Sequence, residues 1–363
     1  MLNNSIIKSF LAGCLLLALV TGCRKDNLIP PIDRTTTPRA MGAFIENNYD
    51  LSILAAALKK TGLLDTLNQG GPFTLFAPDN NAFNKMGIVG VEDVNKMNTD
   101  SLRFMLRYHM IRNRYFTSTF PTQLDNKYTT LAGEQIYVSV LNTATITPDQ
   151  ETFVNGALVY TESKRNIALA NGVIHILAKP LKFTQGTVQD YIAADTSLTL
   201  FTAAMKKFNL WDGLKTNKPL TIFAPANSAF DKYGITAAKI AAMNPGDYNP
   251  LVFAIYPIEM RAMHIFSPDG HLIPSSAPPG WDGIKVGDNT YSIMPGYDFN
   301  PYAGGETAGI GIYKWKNNYW YANEDGPPEV NYKNGLVNAD HLCNNGIVHV
   351  IDDLFLNPDL MKR

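Results

Sequence analysis

One ten-residue stretch occurs twice, and it restricts what this chain can fold into more than any other feature. Thr74-Leu75-Phe76-Ala77-Pro78-Asp79-Asn80-Asn81-Ala82-Phe83 returns 147 residues later, without a gap, as Thr221-Ile222-Phe223-Ala224-Pro225-Ala226-Asn227-Ser228-Ala229-Phe230. An apolar run opened by a β-branched Thr reads as a buried strand. Pro78 and Pro225 end it, and Asn80 and Asn227 sit where a side chain can cap a following helix. Ala82-Phe83 and Ala229-Phe230 begin that helix's apolar face. The expected unit is strand, tight corner, helix, made twice from nearly the same letters.

The same offset aligns the residues before each corner. Leu51-Ser52-Ile53-Leu54-Ala55-Ala56-Ala57-Leu58-Lys59-Lys60 matches Leu198-Thr199-Leu200-Phe201-Thr202-Ala203-Ala204-Met205-Lys206-Lys207. Leu51, Leu54, Ala55 and Leu58 fall at helical spacing, which predicts an amphipathic helix with paired Lys near its end. So long an ungapped self-match points to a duplicated domain, not a short solenoid repeat. After the corner each half shows an apolar helical run ending in a His: Leu102 to Ile111, with Tyr108 and His109, and Met260 to Phe266, with Met263 and His264. Each half closes on a β-rich signal. Asn171-Gly172-Val173-Ile174-His175-Ile176 matches Asn345-Gly346-Ile347-Val348-His349-Val350. Asn-Gly predicts a tight turn, and the Val/Ile run behind it a central strand.

These motifs, in this order and twice over, resemble those of fasciclin-type domains. The Thr-x-Phe-Ala-Pro-x-Asn-x-Ala-Phe box is similar to the family's first motif, Asn-Gly-Val-Ile-His to its second, and Tyr108-His109 to its central Tyr-His pair. The resemblance covers residues 41–183 and 184–358. It implies an α+β fold, each domain a wedge of two β-sheets with several helices packed against it. It also implies that the Tyr-His region, here Tyr108 and His109, takes part in adhesion to cell-surface receptors. The second half departs from the pattern in having Met263 in place of the Tyr. It is also longer: 85 residues separate His264 from His349, against 66 between His109 and His175. The extra length falls in residues 267–333, an aromatic-rich insertion that includes Trp281, Trp315 and Trp320.

The start of the chain reads as an address. Lys8 precedes an apolar run from Phe10 to Val20, too short to span a bilayer and suited to a signal-peptide core. Val20-Thr21-Gly22-Cys23 resembles a bacterial lipobox, which implies a signal peptide over 1–22 and a lipid on Cys23. Residues 23–40, with Pro30, Pro31 and Pro38, read as an extended tether. At ~3 Å per residue such a tether reaches up to roughly 50 Å. Lys25-Asp26 close behind the Cys resembles the surface-export signals of Bacteroidetes lipoproteins. The expected location is therefore the cell envelope, anchored by lipid to the outer membrane and facing outward.

Composition narrows the function. With 31 Lys and Arg against 32 Asp and Glu, the formal charge is −1, and no basic patch suggests nucleic acid. Cys23 carries lipid in this reading and Cys14 is removed, so Cys343 is left without an intramolecular disulfide partner. The sequence shows no nucleophile elbow, zinc-protease helix, phosphate loop or Cys/His metal spacing, so neither an enzyme nor a metal or cofactor is expected. His109, His175, His264 and His349 form the tempting set; core histidines bonded to backbone or Tyr oxygen are favoured over ligands or bases. Glu324-Asp325 and Asp352-Asp353 read as solvated turns.

The candidate binding residues lie in the insertion. Tyr313-Lys314-Trp315 and Tyr319-Trp320-Tyr321 flank Lys316-Asn317-Asn318, which predicts a β-hairpin with Asn at the turn. Alternation places Tyr313 with Trp315 and Tyr319 with Tyr321. With Trp281 and Trp320 they make either an aromatic surface for a glycan or protein ligand, or the core of an enlarged domain. The function expected is a lipid-anchored, non-catalytic adhesion or binding protein presenting two domains to a protein or glycan. The alternative is an accessory glycan-binding lipoprotein of an outer-membrane polysaccharide-uptake system.

Overall fold

The computed structural model describes residues 38–141, 151–215, 220–254, 256–259, 266, 284–286, 289–300, 305–316, 319–321, 330–331 and 338–363; the strands between 284 and 331 are described by backbone and register. The expected signal peptide, Cys23 and most of the tether lie outside these residues, as do His264 and Trp281. No helix among the described residues is long and apolar enough to cross a membrane.

In the first copy, helices α1 (Met41–Glu46), α2 (Ser52–Thr61) and α3 (Leu63–Gln69) lead into strand β1 (Phe73–Pro78). Helices α4 (Asn80–Asn84), α5 (Val91–Lys96) and α6 (Thr99–Tyr108) follow, then strand β2 (Met110–Arg112). Strands β3 (Asn126–Thr129), β4 (Gln135–Leu141), β5 (Glu151–Val154) and β6 (Ala157–Leu158) form one antiparallel sheet in that order. Strands β7 (Ile167–Leu169) and β8 (Gly172–Leu177) complete the other, ordered β2-β1-β8-β7. Its centre is the parallel pair β1–β8, with Phe76 opposite His175. A central strand is covered on both faces, which is why the box reads as an unbroken apolar run. Leu75, Ala77, Ile174 and Ile176 face the helices with Leu54, Leu58 and Leu102. Phe76 and Leu177 face the second sheet with Tyr108, Ile136, Val138 and Val154.

A short strand, β9 (Phe183–Thr184), adds to the sheet of the second copy by pairing with Leu342 and Cys343. The boundary drawn at 183/184 therefore cuts a strand: the last residues of the first copy are part of the second copy's sheet.

The second copy repeats the plan with helices α7 (Val188–Ala194) and α8 (Thr199–Lys207), strand β10 (Leu220–Pro225), helices α9 (Asn227–Asp231), α10 (Ala237–Ala242) and α11 (Leu251–Ala254), and strand β11 (Pro257–Glu259). Strands β12 (Ile284–Val286), β13 (Asn289–Asn300), β14 (Gly305–Lys316), β15 (Tyr319–Tyr321) and β16 (Val330–Asn331) form an antiparallel sheet. Strands β17 (His341–Cys343) and β18 (Gly346–Ile351) close the other, ordered β11-β10-β18-β17-β9. Phe223 stands opposite His349 just as Phe76 stands opposite His175.

The described strands within residues 267–333, β12–β16, are thus not a loop added to a finished domain. They occupy the chain position of β3–β6, the second sheet of the first copy. In place of strands of two to seven residues they build a pair of twelve-residue strands, β13 and β14, in register over eleven residue pairs from Thr290↔Trp315 to Asn300↔Gly305.

Candidate functional site

The box residues act in folding the corner. Thr74 Oγ1 donates to Asn113 O at 2.9 Å and accepts the Tyr115 N–H at 2.8 Å, tying the strand to the chain beyond β2. The expectation that Asn80 and Asn227 cap the helix that follows them is corrected. Asp79 caps α4, accepting the Ala82 N–H, and Ala226 at the second corner offers no side-chain cap. Asn80 instead reaches back to the preceding helix: Oδ1 accepts the Ile53 N–H at 3.0 Å and Nδ2 donates to Tyr49 O. Asn227 does the same to α8, accepting the Leu200 N–H at 3.0 Å and donating to Thr196 O. Each Asn satisfies an orphan N–H in the first turn of a helix about 27 residues upstream. Asn171 is a comparable tie, accepting the Met41 N–H and donating to Leu67 O and Gly70 O. Gly172 and Gly346 are required by close approach: a Cβ on either would lie within 2.3 Å of the carbonyl of Phe73 or Leu220.

The titratable residues of the motifs are buried and engaged with the backbone. His109 accepts the Leu181 N–H on Nε2 at 2.9 Å, so the proton sits on Nδ1, which meets Met105 O at 2.8 Å. Burial lowers its pKa to about 4. His175 accepts the Asn166 N–H on Nδ1, directs Nε2 to Tyr115 O at 2.8 Å, and is likewise lowered to about 4 by burial. It stacks on Phe76, as His349 stacks on Phe223. Tyr108 donates to Gln135 O and accepts from Asn155 Nδ2, and burial raises its pKa. An imidazole held neutral by burial, with both nitrogens engaged, is a poor base at neutral pH. Cys343 is buried too, and burial pushes its thiol up to about 12, away from nucleophilic use.

The second copy's match to Tyr108-His109 is not Met263-His264. Phe76 N–H donates to His109 O, and its counterpart Phe223 N–H donates to Tyr256 O. Leu75 pairs with Met110, and Ile222 with Pro257. The 147-residue offset therefore continues through β11, placing Ile255 and Tyr256 at the positions of Tyr108 and His109. Tyr256 takes the place of the imidazole as an acceptor, its hydroxyl receiving the buried Phe355 N–H at 3.1 Å as His109 receives that of Leu181. Two chemically different side chains meet one backbone demand, which a comparison of letters does not show.

The aromatic hairpin has the expected strands, but its register divides the candidate residues. Lys314 pairs with Tyr321, Trp315 with Trp320 and Lys316 with Tyr319. Directly opposed residues share a face, so Tyr313, Trp315 and Trp320 lie on one face of the sheet and Tyr319 and Tyr321 on the other. The expected single aromatic surface is corrected to this split. On the Tyr319/Tyr321 face the register also places Ile293, Ile310, Ile312 and Val330. On the Trp face it places Gly296, Gly309, Gly311, Ser292 and Thr307.

Where the copies meet, the first contributes Lys179 and Lys182 and the second Asp340. Lys179 Nζ pairs with Asp340 Oδ2, with side chains 9% and 2% exposed. Lys182 Nζ donates to Ala339 O, and burial, with Lys179 beside it, lowers its pKa to about 7. Asp340 occupies the position held by Asn166 in the first copy. Both are left-handed, with φ of 60° and 57°, and both donate their N–H to the following strand's histidine. Asp353, expected in a solvated turn, is mostly buried and accepts from Lys232 Nζ and Tyr233 OH, each at 2.8 Å. Among the described residues no group of three or more His, Cys, Asp or Glu could hold a metal ion.

Sequence reasoning passed over one feature. A cavity of about 920 Å³ opens in the first copy, lined in part by Arg103, Arg107, Arg112, Tyr115 and Tyr128. The signal was available: these arginines have no counterparts at the same offset in the second copy.

Comparison with known proteins agrees with the duplicated architecture. The fasciclin domain family model matches residues 49–183 and 196–251, more than half of the chain. Human periostin is 29% identical over 210 residues, 56% of this chain and 23% of periostin. The cell surface glycolipoprotein MPB83 of Mycobacterium bovis is 35% identical over 97 residues, 25% of this chain and 41% of that protein. The chain thus spans well under half the length of either relative. Among solved structures, a FAS1 domain pair from the insect cell adhesion molecule fasciclin I covers 85% of this chain and 98% of its own at 18% identity and a TM-score of 0.34.

Proposed function

The chain belongs to the fasciclin domain family, and from that premise we propose that it is a lipid-anchored, non-catalytic adhesion or binding protein of the cell envelope. Cys23 carries the lipid, the tether holds the two domains away from the membrane, and the second domain engages a protein or glycan ligand. One observation carries this reading. The residues the copies share are engaged in holding the corner, while the largest difference between the copies is a whole sheet rebuilt around two twelve-residue strands. Selection for a scaffold alone needs no such sheet, since the first copy closes its wedge with short strands. Tyr313, Trp315 and Trp320 on one face offer broad, amphipathic rings of the kind that dominate binding energy at interfaces. A relative named as a cell surface glycolipoprotein supports the anchored, outward placement.

The test has two parts. Radiolabelled palmitate should label the native chain and not Cys23→Ser, and protease added to intact cells should remove the domains. On a glycan and cell-surface protein array, Trp315→Ala/Trp320→Ala should lose most of the binding shown by the native chain while its thermal unfolding stays unchanged. Undiminished binding by the double variant sinks the assignment of the Trp face. Binding confined to oligosaccharides favours polysaccharide capture over adhesion.

A further inference from the structure

We infer that the first domain carries a second, independent site: a groove that binds an acidic, carboxylate-bearing oligosaccharide. It lies on the first copy, shares no residue with the rebuilt sheet, and does not rest on the reading given to the Trp face.

The groove, about 920 Å³ in volume, is of the size that holds a small oligosaccharide of about two or three rings. Among the described residues three cations line it and no carboxylate does. Arg103 and Arg107 lie one helical turn apart on α6, flanking the buried stripe of Leu102 and Leu106. Arg112 follows on β2, opposite Phe73 at the end of the strand pair. Two of the guanidinium groups are held in place. Arg107 directs Nε to Leu131 O at 2.9 Å, and Arg103 directs Nε to Thr61 O at 3.1 Å. Each keeps further N–H groups for a ligand, because a guanidinium has five donors. Asp100 pairs with Arg103 Nη1 at 2.8 Å, but its side chain is 89% exposed, and such a pair is weak and readily exchanged.

The duplication is an internal control on whether the fold needs these charges. At the same offset the second copy has Pro250, Ala254 and Glu259 in place of Arg103, Arg107 and Arg112. The strand register confirms the last: Phe73 pairs with Arg112, and Leu220 with Glu259. The β10–β11 pair forms with an opposite charge at the place of Arg112, and α11 ends on a methyl group at that of Arg107, while Pro250 stands just before α11, outside the helix that Arg103 occupies in the first copy. Charge at the places of Arg107 and Arg112 is therefore not required by the scaffold that the two copies share.

The occupant follows from the lining. Arginine forks match carboxylates in bidentate geometry. Tyr115 and Tyr128 stand beside them with ring centroids 5.2 Å apart in an edge-to-face pair, each only partly buried. Partly exposed tyrosines stack on sugar faces and present hydroxyls to sugar hydroxyls. An acidic peptide would also meet the arginines, but the paired, partly exposed tyrosine rings beside them suit the flat faces of sugar rings, and competition with an acidic peptide separates the two.

The full chain, without its lipid, is titrated calorimetrically with trigalacturonate, with maltotriose as the neutral control and a short poly-glutamate peptide of equal charge as the competitor. Expected are saturable binding of trigalacturonate, none of maltotriose, and weaker binding of the peptide. Arg107→Ala and Arg112→Glu, each the second copy's own residue, should each weaken trigalacturonate binding at least tenfold with unchanged thermal unfolding. Trp315→Ala/Trp320→Ala should leave it unaltered, which separates this site from the one proposed above. The inference is overturned if trigalacturonate fails to bind at millimolar concentration, if Arg112→Glu binds it as the native chain does, or if the peptide binds as tightly.

Discussion

Replacing Asp340 with Asn tests how the two copies are joined. The change installs the residue that the first copy carries at the same place, Asn166, which holds the same left-handed conformation and donates the same backbone N–H to a histidine. Backbone terms therefore cancel closely, and what remains is a missing negative charge. Lys179, with a side chain 9% exposed, loses the partner that neutralises it. Breaking a buried pair from one side typically costs about 3–5 kcal/mol, because the remaining ion is stranded. Lys182 responds as well: Asp340 raises its pKa while burial and Lys179 lower it, so the variant should hold Lys182 neutral at neutral pH. Equilibrium urea unfolding of residues 39–363 reads the loss as a lower midpoint at unchanged slope. The companion Lys179→Met should rescue most of it, since the double variant leaves no unpaired charge, giving a coupling of about 2 kcal/mol or more. A loss below about 1 kcal/mol in Asp340→Asn would falsify the reasoning, since it would mean that water or another group compensates Lys179.

Tyr256→Phe removes only the hydroxyl that accepts the Phe355 N–H, so a buried donor is orphaned; a loss of about 1–3 kcal/mol is expected by urea unfolding, and an unchanged midpoint contradicts its equivalence to His109. Asn80→Ala and Asn227→Ala should each destabilise by about 1–2 kcal/mol through the first turns of α2 and α8, with amide exchange quickened at Ile53 and Leu200 before the residues of α4 and α9; the reverse order contradicts the tie. Burial lowers His109 and His175 to about 4, so between pH 6.5 and 4 the unfolded chain binds protons that the folded one does not. Their neutral, bonded state is fully favoured above 6.5, and stability should fall as pH drops through that window, on the order of 3 kcal/mol for each histidine at its lower end. A urea midpoint that stays level across the window refutes it. Lys182, lowered from 10.5 to about 7, acts in another range: the folded state gives up its proton first, so its contribution makes stability rise with pH between those values.

The sequence by itself determined the duplicated scaffold. The box, the helix before it and the Asn-Gly closing strand are local patterns whose periodicity is set by backbone geometry, so the buried central pair β1–β8 and its copy β10–β18 were legible as runs of letters. Tertiary structure decided what those letters do. Asn80 and Asn227 look like caps for the next helix, yet the free N–H groups they meet belong to helices folded back from far upstream, and chain separation is invisible to a local pattern. Matching by residue identity led to His264, whereas strand register and one buried N–H placed Tyr256 at the imidazole's position, because a hydrogen-bond demand can be met by different chemistry. The aromatic residues 313–321 were visible as a hairpin, but which of them share a face depended on the cross-strand register of Trp315 with Trp320. Arg103, Arg107 and Arg112 drew no notice among 31 basic residues until folding set a helix turn and a strand end beside Tyr115 and Tyr128. A site is a convergence of distant segments, and convergence is a property of the packed chain.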